Sequence, residues 1–413
     1  MNILFVHEVD WLRKVVFEIH SLPELLASFG HKVFIIDFGG LTDRTSTFSL
    51  GTLRTIESKI VGRAHGDSSI TLVRPGIIKF PFIDRASAFF THYFEIERLL
   101  KEKEIDIIVL YSVPTNGIQT VKLAREQGIP VVFRSIDTLH MLVPQKMLRP
   151  FTFALEKRVY RKVDRILTLS SKLSEYVIRM GAESKKVELL LFGVDMDKFN
   201  PEVDTQELKE KLGIIENDRV IVFIGTLFEF SGMDKYLEQF PLVLKEMPNA
   251  KLVIVGGGPL FDKLERLVGD LGLTKQVILT GFEHFDLMPQ YINLADLCIN
   301  PFIVNDTTRD IIPGKTIQYL ACGKPVLATA LPGMTAQIPG PNQGIVYADI
   351  NEFAENTVRL LKDVSLVKTI GENGYRYARN EHDEKKIARR LETILNQMVS
   401  GSSQKNDERH EDN

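Results

Sequence analysis

Residues 296–329 constrain this chain's fold more than any other stretch. An apolar run at 297–299 suits a short strand buried on both faces. A polar loop follows, with acids at Asp306 and Asp310 and a base at Arg309. Pro313 and Gly314 break the backbone before a helical run over 315–322, which Gly323 stops, and Pro325 leads into a second apolar strand at 326–328. Strand, loop, helix and strand make one βαβ unit, which requires a parallel α/β sheet. The helix N-terminus of such a unit offers free N–H groups and the positive end of the helix dipole, so a phosphate or sugar ligand is the chemistry to expect there. Taken alone, the residues leave open an ordinary crossover with a solvated loop.

The same pattern fills the rest of the chain. In the first half, apolar strands are expected at 3–6, 33–36, 105–110, 130–133 and 166–169, with a helical pattern over 15–29 that Pro23 should kink near Ser21. The pattern restarts at 220–224 with Gly225 behind it, then at 252–255 before Gly256-Gly257-Gly258-Pro259, at 277–279 and at 345–347. Residues 39–75 read as a long loop with one strand at 70–73. At 413 residues the chain exceeds one ordinary core. Two Rossmann-like domains are expected, 1–195 and 196–380, then a charged helix over 381–399 and a disordered tail, 400–413, without apolar content.

Composition narrows the function classes. Hydrophobic residues make up 44% and charged residues 25%, and the net charge of -3 gives non-specific nucleic-acid binding no support. Only Cys298 and Cys322 are present, so neither a disulfide framework nor a cysteine zinc site is expected, and a reducing, cytoplasmic setting fits. No metal is expected, because no cluster has ligand spacing. No apolar run reaches the ~18 residues of a membrane span, so membrane contact would be peripheral. The segment 77–100 carries Phe80, Phe82, Phe89, Phe90 and Phe94 among Arg85, His92 and Arg98; at helical spacing this suits a core face better than a membrane-docking face.

Asp310, seven residues, Gln318 and then Ala321-Cys322-Gly323-Lys324-Pro325 resemble the nucleotide-sugar site of retaining glycosyltransferases of the GT-B fold, family 4 (glycosyl transferases group 1). That family carries Glu at both acidic positions; here the second is an amide, which can still hold ribose hydroxyls but has no charge. The series Glu156, Asp164, Ser170, Gly193-Val194-Asp195 and Phe199 likewise looks like the end of that family's N-terminal domain. The resemblance implies two Rossmann-like domains facing across a cleft, with the C-terminal helix crossing back to the N-terminal domain. It implies a nucleotide diphospho-sugar donor held by the C-terminal domain, with no separate cofactor. The acceptor, a glycan, a lipid-linked molecule or a small molecule, would be held by the N-terminal domain.

Residue by residue, the resemblance places Asp137 at the family's acid after strand 130–133, with Ile136 where a histidine usually stands and His140 close by. In the loop 225–232 the family's two diphosphate-gripping bases correspond to Thr226 and Ser231. Lys315, with Arg309 next, is the expected substitute cation, because an unpaired diphosphate is costly to desolvate. Gly225, Thr226, Ser231, Gly257, Arg309, Gly314, Lys315, Thr316 and Gln318 are therefore expected at the donor, and Asp137, His140 and Asp310 at the transferred sugar. Arg13 and Lys14 are expected to meet an anionic phosphate, while His284 is open between a surface and a site role. The implied reaction is front-face attack by the acceptor hydroxyl, whose proton goes to the leaving diphosphate. Two alternatives stay open: a catalytically silent relative that binds a nucleotide sugar or a partner enzyme, and a nucleotide-sugar epimerase. The expected location is cytoplasmic, at the inner membrane face for a lipid-linked acceptor.

Overall fold

The computed structural model describes residues 1–14, 16–39, 51–66, 68–80, 83–143 and 145–411, with side chains up to Gly401. The chain forms two compact units, one of Met1–Phe192 with the chain from Glu384 onward, the other Gly193–Asp383.

The first unit holds β1 (Asn2–Val6), β2 (Lys32–Ile36), β3 (Gly51–Thr52), β4 (Ile56–Val61), β5 (Ser69–Arg74), β6 (Ile77–Ile78), β7 (Ile107–Leu110), β8 (Val131–Ser135), β9 (Arg165–Thr168) and β10 (Val187–Leu189). Eight of these make one sheet in the order β10-β9-β8-β7-β1-β2-β5-β4, parallel except for the β4–β5 edge pair; β3 and β6 form a small antiparallel pair. Ile3–Val6, Ile107–Leu110 and Val131–Phe133 are fully buried, as strands covered on both faces must be. One core layer gathers Ile96, Leu99, Val121, Ala124, Val159 and Tyr160 over one sheet face. The other gathers Ile19, Leu22 and Leu26 of the helix Glu18–Ser28 with Ile387, Leu391 and Leu395 of the final helix.

The second unit holds β11 (Arg219–Ile224), β12 (Ala250–Val255), β13 (Val277–Gly281), β14 (Leu297–Asn300), β15 (Val326–Ala328) and β16 (Ile345–Tyr347). They form one parallel sheet in the order β13-β12-β11-β14-β15-β16. Chain order therefore reverses between β11 and β14, and between β1 and β7 in the first unit. Ligands of open α/β sheets bind outside the carboxyl ends of the strands at such reversals.

Several expectations change. The first helix starts at Glu18, three residues later than its apolar pattern suggests. Within 39–75 the structure forms the β4–β5 hairpin in place of a long loop with one strand; residues 40–50 lie outside the described residues. The final helix runs over Glu384–Glu411, into the tail expected to be disordered. The phenylalanine-rich segment is a helix, Ile83–Glu102, whose buried side is Ala88, His92, Ile96, Leu99 and Leu100, while Phe89, Phe90 and Phe94 stand exposed. The 4-4-3 spacing of Ala88, His92, Ile96 and Leu99 defines the core stripe, and the phenylalanines lie off it. Phe80 is exposed as well, and Phe82 lies outside the described residues.

Candidate functional site

In the second unit the loops at the β11/β14 reversal are tied to one another by backbone. Gly225 N–H donates to Val255 C=O, Leu227 N–H to Gly257 C=O and Ile303 N–H to Phe230 C=O, each at 2.9 Å. Glycine is required in this seam: a Cβ on Gly256 would lie 2.1 Å from the Gly225 carbonyl oxygen, and one on Gly232 1.9 Å from that of Pro301. The helix Gly314–Ala321 begins beside the seam, and its buried Tyr319 accepts a 2.8 Å bond from Ile224 N–H at the end of β11. No side chain caps this helix; Thr316 N–H donates to Pro313 C=O at 2.9 Å, and among the described residues the N–H groups of Gly314 and Lys315 have no partner and can meet a ligand.

Lys315 dominates this end of the sheet. Its Nζ lies 4.0 Å from the Phe223 ring centre and 4.6 Å from that of Phe302, and a Cβ on Gly225 would come within 2.5 Å of it. Among the described residues the ammonium has no hydrogen-bond acceptor and no carboxylate partner. The residue as a whole is half-buried, but its charged end is packed in, and burial pushes its pKa down from 10.5 to about 7. Aromatic faces compensate part of that desolvation. An anion would compensate the rest.

The structure brings Gly225 and Lys315 together, and stitches the Thr226 loop to Gly257 and Gly258. Thr226 is exposed beside them. Gly314 is exposed at the helix start, and Gln318 is half-buried one turn on, its side-chain amide without a hydrogen bond among the described residues. Arg309 and Asp310 are exposed on the loop before the helix, 3.9 Å apart, and Arg309 C=O accepts from Gly333 N–H. Ser231 and Thr316 are fully buried, each hydroxyl without a partner among the described residues, so both side chains turn into the protein rather than toward solvent. His284 is a surface residue that caps the turn at Asp286.

In the first unit, Asp137 and His140 follow β8. The Asp137 side chain keeps contact with water, yet the protein around it pushes its carboxyl up to about 6, Glu18 adding to the shift and Lys14 opposing it. His140 is held from behind: Glu156, fully buried, accepts from His140 N–H and from Nδ1–H, both at 2.9 Å, and from the Tyr176 hydroxyl at 2.6 Å. A carboxylate on Nδ1 leaves Nε2 as the accepting nitrogen. Lys14 is exposed and lies 6.0 Å from the Phe17 ring.

Sequence reasoning missed a buried pair. Arg134 at the end of β8 donates to both Glu18 carboxylate oxygens, at 2.7 and 2.6 Å, and to Leu190 C=O at 2.6 Å. Its signal is an arginine ending an apolar strand, where only a buried acid could satisfy it.

Comparison with known proteins follows the same division. Residues 218–363 match the family model of glycosyl transferases group 1, and residues 19–198 match that of glycosyltransferase family 4. A GDP-mannose-dependent alpha-(1-6)-phosphatidylinositol monomannoside mannosyltransferase from Mycolicibacterium smegmatis is 29% identical over 219 residues, 51% of this chain and only 56% of that protein's length. An alpha-monoglucosyldiacylglycerol synthase from Streptococcus pneumoniae is 26% identical over 355 residues, 82% of this chain and 73% of that protein. The solved structure of HepE from Anabaena in complex with UDP matches with a TM-score of 0.71 at 16% identity, covering 96% of this chain and 100% of that one. That last likeness is one of fold.

Proposed function

Because the chain belongs to the GT-B glycosyltransferases of the family 4 type, we propose that it moves a sugar, with retention of anomeric configuration, from a nucleotide diphospho-sugar to a glycan or lipid-linked acceptor. The observation that carries this reading is Lys315, a packed-in ammonium without an anion, at the strand reversal of the second unit. A donor diphosphate there gains a charge-assisted bond from Nζ and the open N–H groups at the start of the helix Gly314–Ala321. Gln318 holds the ribose, Asp310 the sugar hydroxyls, and Thr226 and Arg309 lie at the rim of the phosphates. Ser231 and Thr316, being buried, support the loop and the helix instead.

The acceptor hydroxyl attacks the anomeric carbon on the face the diphosphate leaves. The carbon–oxygen bond to phosphate breaks, and the hydroxyl proton passes to the departing phosphate oxygen. Lys315 and the helix start stabilise the charge developing on that oxygen. On the first unit, Asp137 and His140 Nε2 accept hydrogen bonds from acceptor hydroxyls. Two relatives named above act on lipid-borne acceptors, which favours a lipid-linked acceptor met at a membrane surface.

The test is a thermal-shift screen against UDP-, GDP- and ADP-sugars, with Lys315→Ala alongside. A ligand at about a hundred times its dissociation constant adds about 2.7 kcal/mol of stability. One sugar nucleotide should raise the melting temperature of the wild type and not of the variant, and the anomeric configuration of the product then reports retention. No shift with any donor at millimolar concentration would overturn the donor site and favour a silent relative, to which the missing bases at Thr226 and Ser231 would belong.

A further inference from the structure

Three elements of the first unit meet at His140. The histidine lies in the short turn Leu139–Leu142 after β8, Glu156 comes from the helix Arg149–Tyr160, and Tyr176 from the helix Ser171–Arg179. Glu156 Oε1 accepts from the His140 backbone N–H and Oε2 from Nδ1–H, both at 2.9 Å. The Tyr176 hydroxyl donates to Oε2 at 2.6 Å, and its oxygen lies 3.0 Å from Nδ1. Phe153 meets the imidazole edge-on with 5.1 Å between ring centres, and Tyr176 lies nearly parallel to it at 6.1 Å. Backbone, Nδ1 and ring orientation are thus all fixed. Nε2 alone has no partner among the described residues, and it is not shut away from solvent.

The Glu156 side chain has no contact with water, and an ionised carboxylate only accepts hydrogen bonds. One of its three donors, the His140 backbone N–H, has no accepting form. The tyrosine hydroxyl and Nδ1 are able to act either way, but both face carboxylate oxygens and so must donate. In the neutral imidazole the proton therefore stays on Nδ1, and Nε2 presents a lone pair. A hydroxyl has a proton to give to that lone pair. An ionised carboxylate or phosphate has none.

We propose that Glu156 is a positioning residue that fixes His140 Nε2 as the acceptor for a neutral hydroxyl of the incoming acceptor molecule, so that this subsite selects a hydroxyl over an anionic group. The proposal deepens the transferase reading and rests on it. Glu156→Gln tests it, because the amide keeps the shape of the carboxylate while one end becomes a donor. Its carbonyl end must stay on the His140 backbone N–H, which leaves the NH2 end facing Nδ1 and the Tyr176 oxygen. Nδ1 then accepts, the ring proton moves to Nε2, and the subsite turns from accepting to donating. Tyr176→Phe removes a bond from the same carboxylate but leaves both of its oxygens accepting, so the ring proton stays on Nδ1.

The experiment reads the imidazole proton–nitrogen NMR spectrum of the full chain labelled at histidine, in mildly alkaline buffer where ordinary imidazoles are neutral. His140→Asn identifies the signal. Beside it, sugar transfer to octyl glucoside, the hydroxyl probe, is followed from the sugar nucleotide that the thermal-shift screen selects. Wild type and Tyr176→Phe should carry the proton on Nδ1, and Glu156→Gln on Nε2. Glu156→Gln should raise the KM for octyl glucoside at least about tenfold while the donor KM stays within about twofold. Tyr176→Phe should change the KM for octyl glucoside by less than about threefold. An Nδ1 proton retained in Glu156→Gln would overturn the proposal. So would equal losses in the two variants, or a donor KM that rises together with that of octyl glucoside. An inverted ring proton in a protein that no sugar nucleotide stabilises would instead overturn the transferase reading and leave the coupling of Glu156 to His140 standing.

Discussion

Lys315→Met isolates the buried ammonium, because methionine has a similar unbranched length and packs well against aromatic rings. In the wild type the folded state holds Nζ between Phe223 and Phe302 with a pKa near 7, against 10.5 for ordinary lysine. Between those values the unfolded chain keeps a proton that the folded chain releases. The destabilisation is therefore fully present below about pH 7 and is relieved as pH rises above it. From about pH 6 to 8 the relief amounts to about 1.4 kcal/mol, one pKa unit of free energy. A bound diphosphate keeps the lysine charged, so binding must take up the missing proton, and the same factor appears in affinity with the opposite sense. The wild-type Kd for the nucleotide sugar should rise about tenfold from about pH 6 to 8, with uptake of about 0.9 proton per donor at pH 8. Calorimetric titration in buffers of different ionisation enthalpy reads both quantities. Lys315→Met should bind more weakly, with an affinity flat in pH. A flat wild-type profile, or the same slope in both proteins, would refute the argument that this ammonium meets the donor.

Two further substitutions test the packing that creates the sites. Gly225→Ala places a methyl 2.5 Å from Lys315 Nζ at a φ of +138°, so it should cost about 1–3 kcal/mol in strain and abolish the donor-induced thermal shift. Gly269→Ala is its control, because nothing lies within 4 Å of the added methyl; its melting temperature should hold or rise. Arg134→Met leaves Glu18 buried and unpaired, which should cost about 3–5 kcal/mol, while adding Glu18→Leu should recover most of the loss. Fluorescence of Trp11, the single tryptophan and fully buried in the same unit, follows that unfolding.

What is legible in the sequence depends on repetition. Each parallel strand announces itself as an unbroken apolar run, so the two α/β units and the βαβ stretch around Lys315 can be read directly. The same holds for Lys315 as a cation beside a helix start. Its state cannot be read that way, since Phe223 and Phe302 come from two different strand ends and only the sheet order joins them. The role of Glu156 is hidden for the same reason: it stands out as a family marker, but its hold on His140 and Tyr176 spans 16 and 20 residues of chain. Ser231 aligns with a phosphate-binding position, yet its burial follows from a turn that Gly232 makes at a φ of +67°. The phenylalanines of 83–102 mislead when apolar residues are weighed by size, whereas the smaller Ala88 and His92 complete the stripe that faces the sheet.

The burial of Ser231 and of the Lys315 ammonium bears on how the donor charge is met. A nucleotide diphospho-sugar brings two negative charges, and Thr226 and Ser231 supply none in return. A helix N-terminus is worth about half a positive charge, and Lys315 supplies a full one only when protonated. Near neutral pH the empty protein holds that proton about half the time, because burial has brought the pKa to about 7. Donor binding and protonation are thus one event on this reading. After transfer the leaving diphosphate carries more charge than the donor did, so Lys315 binds it more strongly still. The proposed chemistry is favoured by that difference. Release of the nucleotide is correspondingly slowed, and it should become faster only where pH exceeds the raised pKa of Lys315 in the product complex, well above 7, so that between about pH 7 and 8 the release rate should stay nearly flat while the affinity falls.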